Sequence, residues 1–406
     1  MKAVVLQDVT LFDGGGASPL RGASVVVQGE RIVEVGRGPV ARPDGAEVLD
    51  LGGGFLLPGL FDAHAHVDGG EDAAAELLLA GVTAIRNPAR RDEAAPTCQG
   101  LTVLSAGRPI DTPDSAFPYA ARVETPAEIR AEVRRQAAAG VDMVKLYVGL
   151  TPELVRGAVE EAHAAGLPAV GDLVRTSWTE AARAGIDFLC HAAPRHAELL
   201  AEGVRGRYLD DLARGAHPVC RWLELLDPDG PEVAGMVAAL AGAGVAVDPT
   251  LVSLEALLFA GDPDYHAAVD PAGGTPAPEL APATVVALRR RASRCWDRAL
   301  GLVRALHRGG VTLLAGSDCP RPWVRPGVSL HREVRLLQQA GLAAADALAA
   351  ATGRCAAALG VGDETGTIRP GRRADLLLLA ADPLADLTNT AAIRWRMVRG
   401  AMGGPS

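Results

Sequence analysis

The 406-residue chain has few aromatic residues, no excess of basic residues and no long apolar run. Aromatic residues make up 4% of the chain and hydrophobic residues 49%, so the core must consist mainly of Ala, Val and Leu. That composition fits helices packed on a parallel sheet. A formal charge of −9 without a basic block argues against nucleic acid or an anionic membrane as a partner, and favours a neutral or cationic small substrate.

No apolar run reaches the roughly 20 residues that span a bilayer, and the N-terminal stretch lacks the features of a secretory signal. The cysteines are scattered, without a CxxC pair, which predicts reduced thiols in a cytoplasmic protein and argues against a four-thiolate structural zinc site. The oligomeric state stays open, with a homo-oligomer among the options. The six cysteines are Cys98, Cys190, Cys220, Cys295, Cys319 and Cys355.

Both ends of the chain contain Val- and Leu-rich segments bounded by glycine, such as GASVVVQGERIVEVG and GTIRPGRRADLLLLAADP. This pattern predicts short strands. We expect residues 1–58 and 366–406 to meet in a small β-sandwich domain, since chain ends that share one sheet leave the segment between them as an inserted unit.

The inserted segment, 59–365, alternates apolar strand-like runs with Ala-rich helical stretches, the pattern of repeated βαβ units. Helices such as TPAEIRAEVRRQAAAG begin with Thr-Pro and end with glycine, as helix start and stop preferences require. We therefore predict an α/β fold, a (β/α)8 TIM-type barrel. The Pro- and Gly-rich segment 253–297 is expected to be a lid-like excursion. The predicted strands are FDAHAH, 81–88, 100–109, 141–149, 167–174, 186–192, 245–252 and 311–320.

His64 and His66 stand one residue apart at the end of the apolar run LLPGLFDAHAHVD. In a strand, residues i and i+2 point to the same face, so both imidazoles would project side by side and could hold one metal ion. Asp62 is expected to orient one ring, as metal-bound histidines usually require. A His-x-His pair also arises by chance in exposed loops, which is the alternative interpretation.

Further polar side chains stand at or just after the ends of other predicted strands. Because the active site of an α/β barrel lies at the C-terminal ends of its strands, these side chains should converge on one mouth. The structural alternatives are an ordinary ion pair for Lys145, a capped core position for His191 and a helix cap for Asp318. The residues are Lys145, Asp172, His191 and Asp318.

The order HAH, strand lysine, strand-end His and a final SD resembles the amidohydrolase superfamily, especially its prolidase-like and imidazolonepropionase-like members. GVDMVKLYV, AGIDFLCHA, GVAVDPTLVSLEAL and the tail GTIRPGRRADLLLLAADPLADL carry the same resemblance, which covers nearly the whole chain. It implies an α/β barrel with one or two divalent metals, usually zinc, that activate water for attack on an amide-like bond. It further implies the following roles: His64, His66 and Asp318 bind the more buried metal, Lys145 bridges and is N-carboxylated in many relatives, and His191 serves the second metal.

The chain departs from the family at strand five, where relatives usually carry a metal-binding histidine and this sequence has Asp172. The favoured hypothesis is that the site holds two ions with Asp172 as a ligand, because a carboxylate can bind zinc. Asp172 could instead pair with Lys145, prevent carbamylation and leave one ion. A second departure is Asn87, where relatives often have aspartate, and it receives no ligand role.

Asp318 is the predicted general acid and base, because a carboxylate beside metal-activated water can accept a proton and deliver it to a departing nitrogen. Tyr147, two residues after Lys145 on the strand, should face inward and could polarise a carbonyl, or could be core packing. Further candidates for substrate contact are His331, Arg175 and Arg321, the arginines through bidentate bonds to a carboxylate or, alternatively, as surface residues.

The sequence thus predicts a metal-dependent hydrolase of an amide or peptide-like C–N bond, with a small molecule or peptide as substrate. The resemblance to prolidase-like members favours a C-terminal peptide bond. A cyclic amidohydrolase or a deaminase is the alternative within hydrolases. From another class, the departure at Asp172 leaves open a non-hydrolytic barrel that has become a cyclase, an isomerase or a binding protein.

Overall fold

A computed structural model describes residues 3–67, 71–91, 98–270 and 281–403. The strands in these residues are short in the middle of the chain and long at its ends. In chain order they are β1 (Ala3–Leu11), β2 (Leu20–Gln28), β3 (Arg31–Arg37), β4 (Glu47–Pro58), β5 (Leu60–Asp62), β6 (Val82–Asn87), β7 (Thr102–Ser105), β8 (Ile110–Asp111), β9 (Ala121–Arg122), β10 (Val144–Leu146), β11 (Ala169–Gly171), β12 (Phe188–Cys190), β13 (Ala246–Asp248), β14 (Thr312–Leu313), β15 (Leu376–Leu379), β16 (Ile393–Val398) and β17 (Ala401–Gly403).

The two ends of the chain share one mixed seven-stranded sheet, in the order β17-β16-β15-β4-β1-β2-β3. β1 pairs in parallel with β4, and β4 pairs antiparallel with β15, which joins the N-terminal and C-terminal segments directly. Alternate Val and Leu side chains such as Leu6, Val25, Leu56 and Leu376 form its apolar core. Period-two alternation of this kind buries one face of a sheet, so the pattern explains why these residues form strands.

The middle of the chain supplies parallel strands in two hydrogen-bonded groups, β5-β6-β7 and β14-β13-β12-β11-β10-β8-β9. Parallel bridges between Ala65 and Cys319 and between Ala106 and Met143 link the two groups at both ends. Each of the eight predicted strand segments overlaps an observed strand, and each contributes to one buried cluster. Its members on these segments are Phe61, Ala84, Ala106, Met143, Val170, Phe188, Cys190, Ala246 and Leu314.

The predicted Thr-Pro helices are confirmed, and their start signals act as expected. Thr125 accepts a hydrogen bond from the backbone of Glu128, whose side chain bonds back to the cap, and Thr151 caps the next helix in the same way through Leu154. The helices are α1 (Glu71–Leu79), α2 (Pro126–Ala138), α3 (Pro152–Ala164), α4 (Trp178–Arg183), α5 (Glu202–Ala213), α6 (Pro218–Leu225), α7 (Pro231–Ala243), α8 (Leu251–Leu258), α9 (Pro263–Val269), α10 (Pro282–Arg308), α11 (Val328–Gln339), α12 (Ala344–Ala350) and α13 (Gly353–Ala358), with 3-10 turns at Ala197–Leu199 and Leu387–Ala391.

The segment 253–297, the expected lid-like excursion, is helical over most of its described residues. α8, α9 and the first half of α10 occupy its described residues. The proline and glycine that prompted the expectation are concentrated in PAGGTPAPEL, residues 271–280, which lie outside the described residues. Among the helices in the described ranges, none has the length and apolar character needed to cross a bilayer.

Candidate active site

Five of the predicted site residues converge at the C-terminal ends of the parallel strands. His64 and His66 follow β5, Lys145 lies in β10, His191 follows β12 and Asp318 follows β14. All five line one cavity of about 870 Å³. They converge because the C-terminal ends of parallel strands meet at the same edge of the sheet, while the apolar run of each strand holds its backbone in the core.

Three of these side chains form the tightest group. The Nε2 atoms of His64 and His66 each lie 3.5 Å from Oδ1 of Asp318. His64 and Asp318 are buried, with 2% and 1% of their surface exposed. Within the part of the chain that the structure describes, Oδ1 of Asp318 has no hydrogen-bond partner. A buried carboxylate oxygen without a donor is costly, so it needs a partner that these residues do not provide.

The other nitrogen of each imidazole is already engaged. Nδ1 of His64 lies 2.6 Å from Oδ2 of Asp248, and Nδ1 of His66 lies 3.4 Å from the carbonyl oxygen of Ala89. Both oxygens are acceptors, so each Nδ1 carries a proton, and in the neutral form of each ring Nε2 presents a lone pair towards Asp318. Burial, opposed in part by the charge of Asp318, holds the pKa of His64 well below its usual value.

The prediction that Asp62 orients an imidazole is wrong. Its carboxylate accepts hydrogen bonds from the backbone N–H of His64 and from the backbone and hydroxyl of Ser317. Asp62 therefore ties β5 to the segment after β14, while Asp248 holds the ring of His64. Burial raises the pKa of Asp62 to about 6, against the lowering effect of the Ser317 hydrogen bonds.

The second carboxylate oxygen of Asp318 has two partners. Arg321 Nε lies 2.6 Å away, and the hydroxyl of Ser253 donates to the same oxygen at 2.9 Å. Burial alone would raise the pKa of Asp318, but its favourable neighbours, among them the positive charge of Arg321, outweigh burial and hold the pKa below its usual range. Asp318 is consequently ionised, with Oδ2 anchored and Oδ1 turned towards the imidazoles.

Lys145 is buried, and its Nζ donates to the Sγ of Cys190 at 3.2 Å. Burial raises the pKa of this thiol to about 12, with the nearby charge of Asp248 adding to the effect, so Cys190 is a neutral acceptor. The alternative of a Lys145–Asp172 ion pair is wrong: among the described ion pairs, Asp172 is joined to Arg195 and His191 instead.

Asp172 faces a second cavity of about 400 Å³, which shares His191 and Asp318 with the first. Its Oδ1 accepts from Nη2 of Arg195 at 3.2 Å, and its Oδ2 lies 3.8 Å from Nε2 of His191. The His191 ring is oriented by Thr250, whose hydroxyl lies 2.7 Å from Nδ1. Burial lowers the pKa of His191, which favours the neutral ring.

The four predicted substrate-binding residues lie in different places, and two of them line the cavities. Tyr147 and Arg321 line both cavities, and Tyr147 packs edge-to-face on Phe117 with ring centroids 4.7 Å apart. Two predictions need correction. Arg175 is exposed and lines neither cavity, while its backbone N–H donates to the carbonyl of Val148.

His331 does not reach the mouth. It lies on α11 with 7% of its surface exposed, and its ring bonds to the carbonyl of Ala80 and the hydroxyl of Thr390, both at 3.0 Å. It borders a separate cavity behind the strands. The rotation of α11 about its axis decides this placement, and the segment PGVSLHREV gives no measure of that rotation.

Sequence reasoning missed several residues in or next to the predicted site, among them Arg86, Asp248 and Arg195. Asp248 could have been found, because VAVDP ends a predicted strand with a carboxylate just as SD does. Arg86 forms a fully buried ion pair with Asp248 and lies over the Phe188 ring at 5.0 Å. A charged residue in an apolar strand is a signal for such a pair. Arg195 lies in a loop, with no pattern that marks it.

Comparison with known proteins identifies the family. The model of the amidohydrolase family matches residues 55–400. The chain belongs to the amidohydrolase family. It is 28% identical over 399 residues to the imidazolonepropionase of Pseudomonas putida, an alignment that covers 92% of this amidohydrolase and 91% of that protein.

Two solved structures are similar over nearly the whole amidohydrolase chain. A prolidase complexed with N-methylphosphonate-L-proline has a TM-score of 0.72 at 20% identity and covers all of both chains. The bottromycin amidohydrolase has a TM-score of 0.71 at 25% identity and covers 99% of this chain and 87% of that one. These likenesses imply a TIM barrel fold. The protein is therefore a hydrolase of C–N bonds from a metal-dependent family.

Proposed function

We propose that this amidohydrolase cleaves an amide or peptide-like C–N bond with one divalent ion, zinc, held by His64, His66 and Asp318. The observation that carries the proposal is the meeting of three acceptors: two imidazole Nε2 atoms, each 3.5 Å from the unbonded Oδ1 of buried Asp318. Three lone-pair donors that face one another repel unless a cation lies between them. Imidazole and carboxylate are zinc ligands, and the set suits that ion.

The contacts behind the ligands support the same proposal. Asp248 fixes the tautomer of His64 from the far side of the ring, as outer partners of metal-bound histidines do. A second group, His64, Cys190 and Asp248, also brings three ligand atoms within 4.8 Å of one another. That group is the weaker candidate, because Arg86 already neutralises Asp248.

A bound divalent ion supplies polarisation of the substrate carbonyl and lowers the pKa of water to about 7. The residues of the chain provide the proton transfers. The carboxylate of Asp318, ionised and oriented through Oδ2 by Arg321 and Ser253, would accept the proton of the attacking water and deliver it to the leaving nitrogen. His191, held by Thr250, and the Tyr147 hydroxyl are positioned on the cavity wall to bind the carbonyl oxygen.

In the two-metal version of the site, a second ion would be held by Lys145, His191 and Asp172. An N-carboxylated Lys145 would then bridge the pair. The contacts of these residues do not favour that version, since Lys145 donates to a thiol and Asp172 is bonded to Arg195. One ion is sufficient for the chemistry described.

The substrate we propose is a small peptide or N-acyl amino acid cleaved at its C-terminal amide. The likeness to a prolidase bound to a proline phosphonate and to the bottromycin amidohydrolase supports this class. A cyclic amide is the second candidate, favoured by the similarity to imidazolonepropionase over 92% of the chain. The aromatic wall of Phe117 and Tyr147 suits either a prolyl ring or another small ring.

The proposal includes the architecture in which the site lies. We propose that residues 59–365 form a closed (β/α)8 barrel, supported by the two linking bridges, and that 1–58 with 366–406 form a β-sandwich domain. We also propose a cytoplasmic location, which is supported by unpaired thiols such as buried Cys190 and Cys355.

The test is a screen of dipeptides, N-acyl amino acids and cyclic amides with the zinc-loaded enzyme. Activity should disappear with a chelator and return with zinc. Asp318→Asn should lower kcat by roughly 10²–10⁴-fold, because proton transfer is worth about that much. Asp363→Asn, at a nearly fully exposed aspartate, is the matched control and should not change kcat. Full activity in Asp318→Asn, or activity that survives complete metal removal, would refute the proposal.

A further inference from the structure

Arg195 contacts the carboxylate that departs from the family pattern. Asp172 stands where relatives usually have a metal-binding histidine, and its Oδ1 accepts from Nη2 of Arg195 at 3.2 Å. Both side chains are largely buried, with 10% and 22% of their surfaces exposed. The guanidinium therefore neutralises Asp172 in a partly desolvated position, where an ion pair is screened less than at a surface.

Local structure fixes Arg195 in this position. Its backbone has a positive φ of 59°, an uncommon conformation for a residue with a side chain. Its carbonyl oxygen accepts from the hydroxyl of Tyr208, and the carbonyl of the next residue, His196, accepts from Trp222 Nε1, both at 3.0 Å. Two buried aromatic residues thus anchor the loop that carries the guanidinium. A surface arginine that met Asp172 by chance would need no such anchors.

The site has one half around His64, His66 and Asp318 and another around Asp172 and His191. The charges in these two halves differ. His64, His66 and Asp318 bring ligand atoms within 4.8 Å of one another, whereas Asp172 belongs to neither of the groups of this kind found among the described residues. A cation beside Asp172 and His191 would meet the guanidinium of Arg195 on one side. The amine of Lys145, which lines the first cavity together with His191, would add to the repulsion. Repulsion between like charges is strong where water is scarce.

We propose that Arg195 is a built-in counter-ion that takes the place of the second metal, so that the enzyme holds one divalent ion per chain. This inference rests on the proposed function, because it assumes the first ion at His64, His66 and Asp318. It revises the expectation of two ions with Asp172 as a ligand. Asp172 then serves as a positioning residue that holds Arg195 at the wall of the second cavity, beside the proposed carbonyl-binding residues Tyr147 and His191.

The test measures zinc per chain by mass spectrometry of the metal after saturation with zinc and removal of the free ion. The full-length wild type should hold one zinc. Arg195→Met removes the charge but keeps much of the side-chain volume, so it should expose Asp172 and raise the content to two. Arg195→Lys keeps the charge and should hold one. The double variant Asp172→Asn with Arg195→Met loses the carboxylate again and should return to one.

Two zinc ions in the wild type, or one in a folded Arg195→Met, would overturn the inference and leave the proposed hydrolase intact. A folded wild type that binds no zinc would instead overturn the proposed function. Circular dichroism and thermal melting establish that each variant is folded. Should Arg195→Met not fold, the inference still fails if the wild type or Arg195→Lys binds two ions.

Discussion

His331 should make the free energy of unfolding sensitive to acid, although it lies outside the proposed site. Burial lowers its pKa from 6.5 to about 4, although the hydrogen bond to the carbonyl of Ala80 opposes this shift. The unfolded chain takes up a proton near pH 6.5, whereas the folded protein resists it until about pH 4. The contribution of His331 to stability is therefore complete above pH 6.5 and is lost as the pH falls towards 4.

The magnitude follows from the two pKa values. One pKa unit corresponds to about 1.4 kcal/mol, so the gap between 6.5 and about 4 limits the contribution to about 3 kcal/mol. Roughly 2 kcal/mol of this should be lost between about pH 7.5 and about pH 5. Because only 7% of the residue is exposed, solvent screening reduces this figure little.

The assay is urea unfolding of the metal-free protein at both pH values, followed by tryptophan fluorescence. His331→Gln cannot take up a proton, so it should lose about 2 kcal/mol less stability than the wild type over this pH interval. His307→Gln, at a half-buried position in the last turn of α10, is the control and should keep the wild-type pH dependence. An identical loss in His331→Gln and the wild type would refute the assignment of a neutral, acid-sensitive His331.

Two further predictions concern the contacts behind the metal ligands. Asp248→Asn should weaken zinc binding by about 10- to 100-fold, measured by competition with a chelator. The reason is that the amide N–H of the new side chain can drive the proton of His64 from Nδ1 to Nε2. Unchanged zinc affinity would show that Asp248 does not set the tautomer of His64. Gly316→Ala should also weaken zinc binding, since the added Cβ would lie 2.8 Å from Cβ of His64 and 3.3 Å from Cβ of Asp248. Gly206→Ala, in α5 with no atom within 4 Å, is its control and should leave zinc binding intact while stabilising the helix by up to about 1 kcal/mol.

The elements that sequence analysis predicted well are those set by local chemistry. The segment TPAEIRAEVRRQAAAG forms α2 because Thr125 and Glu128 satisfy the free backbone groups at its start, and this information is entirely local. The convergence of His64, His66 and Asp318 on one cavity also followed from sequence, since parallel strands bring their C-terminal ends together whatever the details of packing, whereas their grouping around one metal came from the family resemblance.

The residues that were misplaced or missed depend on longer-range geometry. His331 lies one helix beyond the last strand, where a rotation of α11 decides between the mouth and the back of the sheet. Arg195 meets Asp172 across 23 residues through a loop with positive φ. Neither the rotation nor the loop conformation leaves a periodic pattern in the sequence. Partners of buried charges are consequently harder to predict than the charges themselves.

Positively charged or donor groups alternate with carboxylates in a line of contacts from the buried end of the site to its rim. Arg86 pairs with Asp248, Asp248 accepts from Nδ1 of His64, and at the rim Arg321 pairs with Asp318. Each contact in this line joins a donor to an acceptor except one, between Nε2 of His64 and Oδ1 of Asp318, where two acceptors lie 3.5 Å apart. Asp248 cannot move to relieve this contact without leaving the buried guanidinium of Arg86 and the imidazole of His64 unpaired, and Asp318 cannot move without breaking its bonds to Arg321 and Ser253. The cation that we propose at this point, with His66 as its third ligand, would complete the alternation.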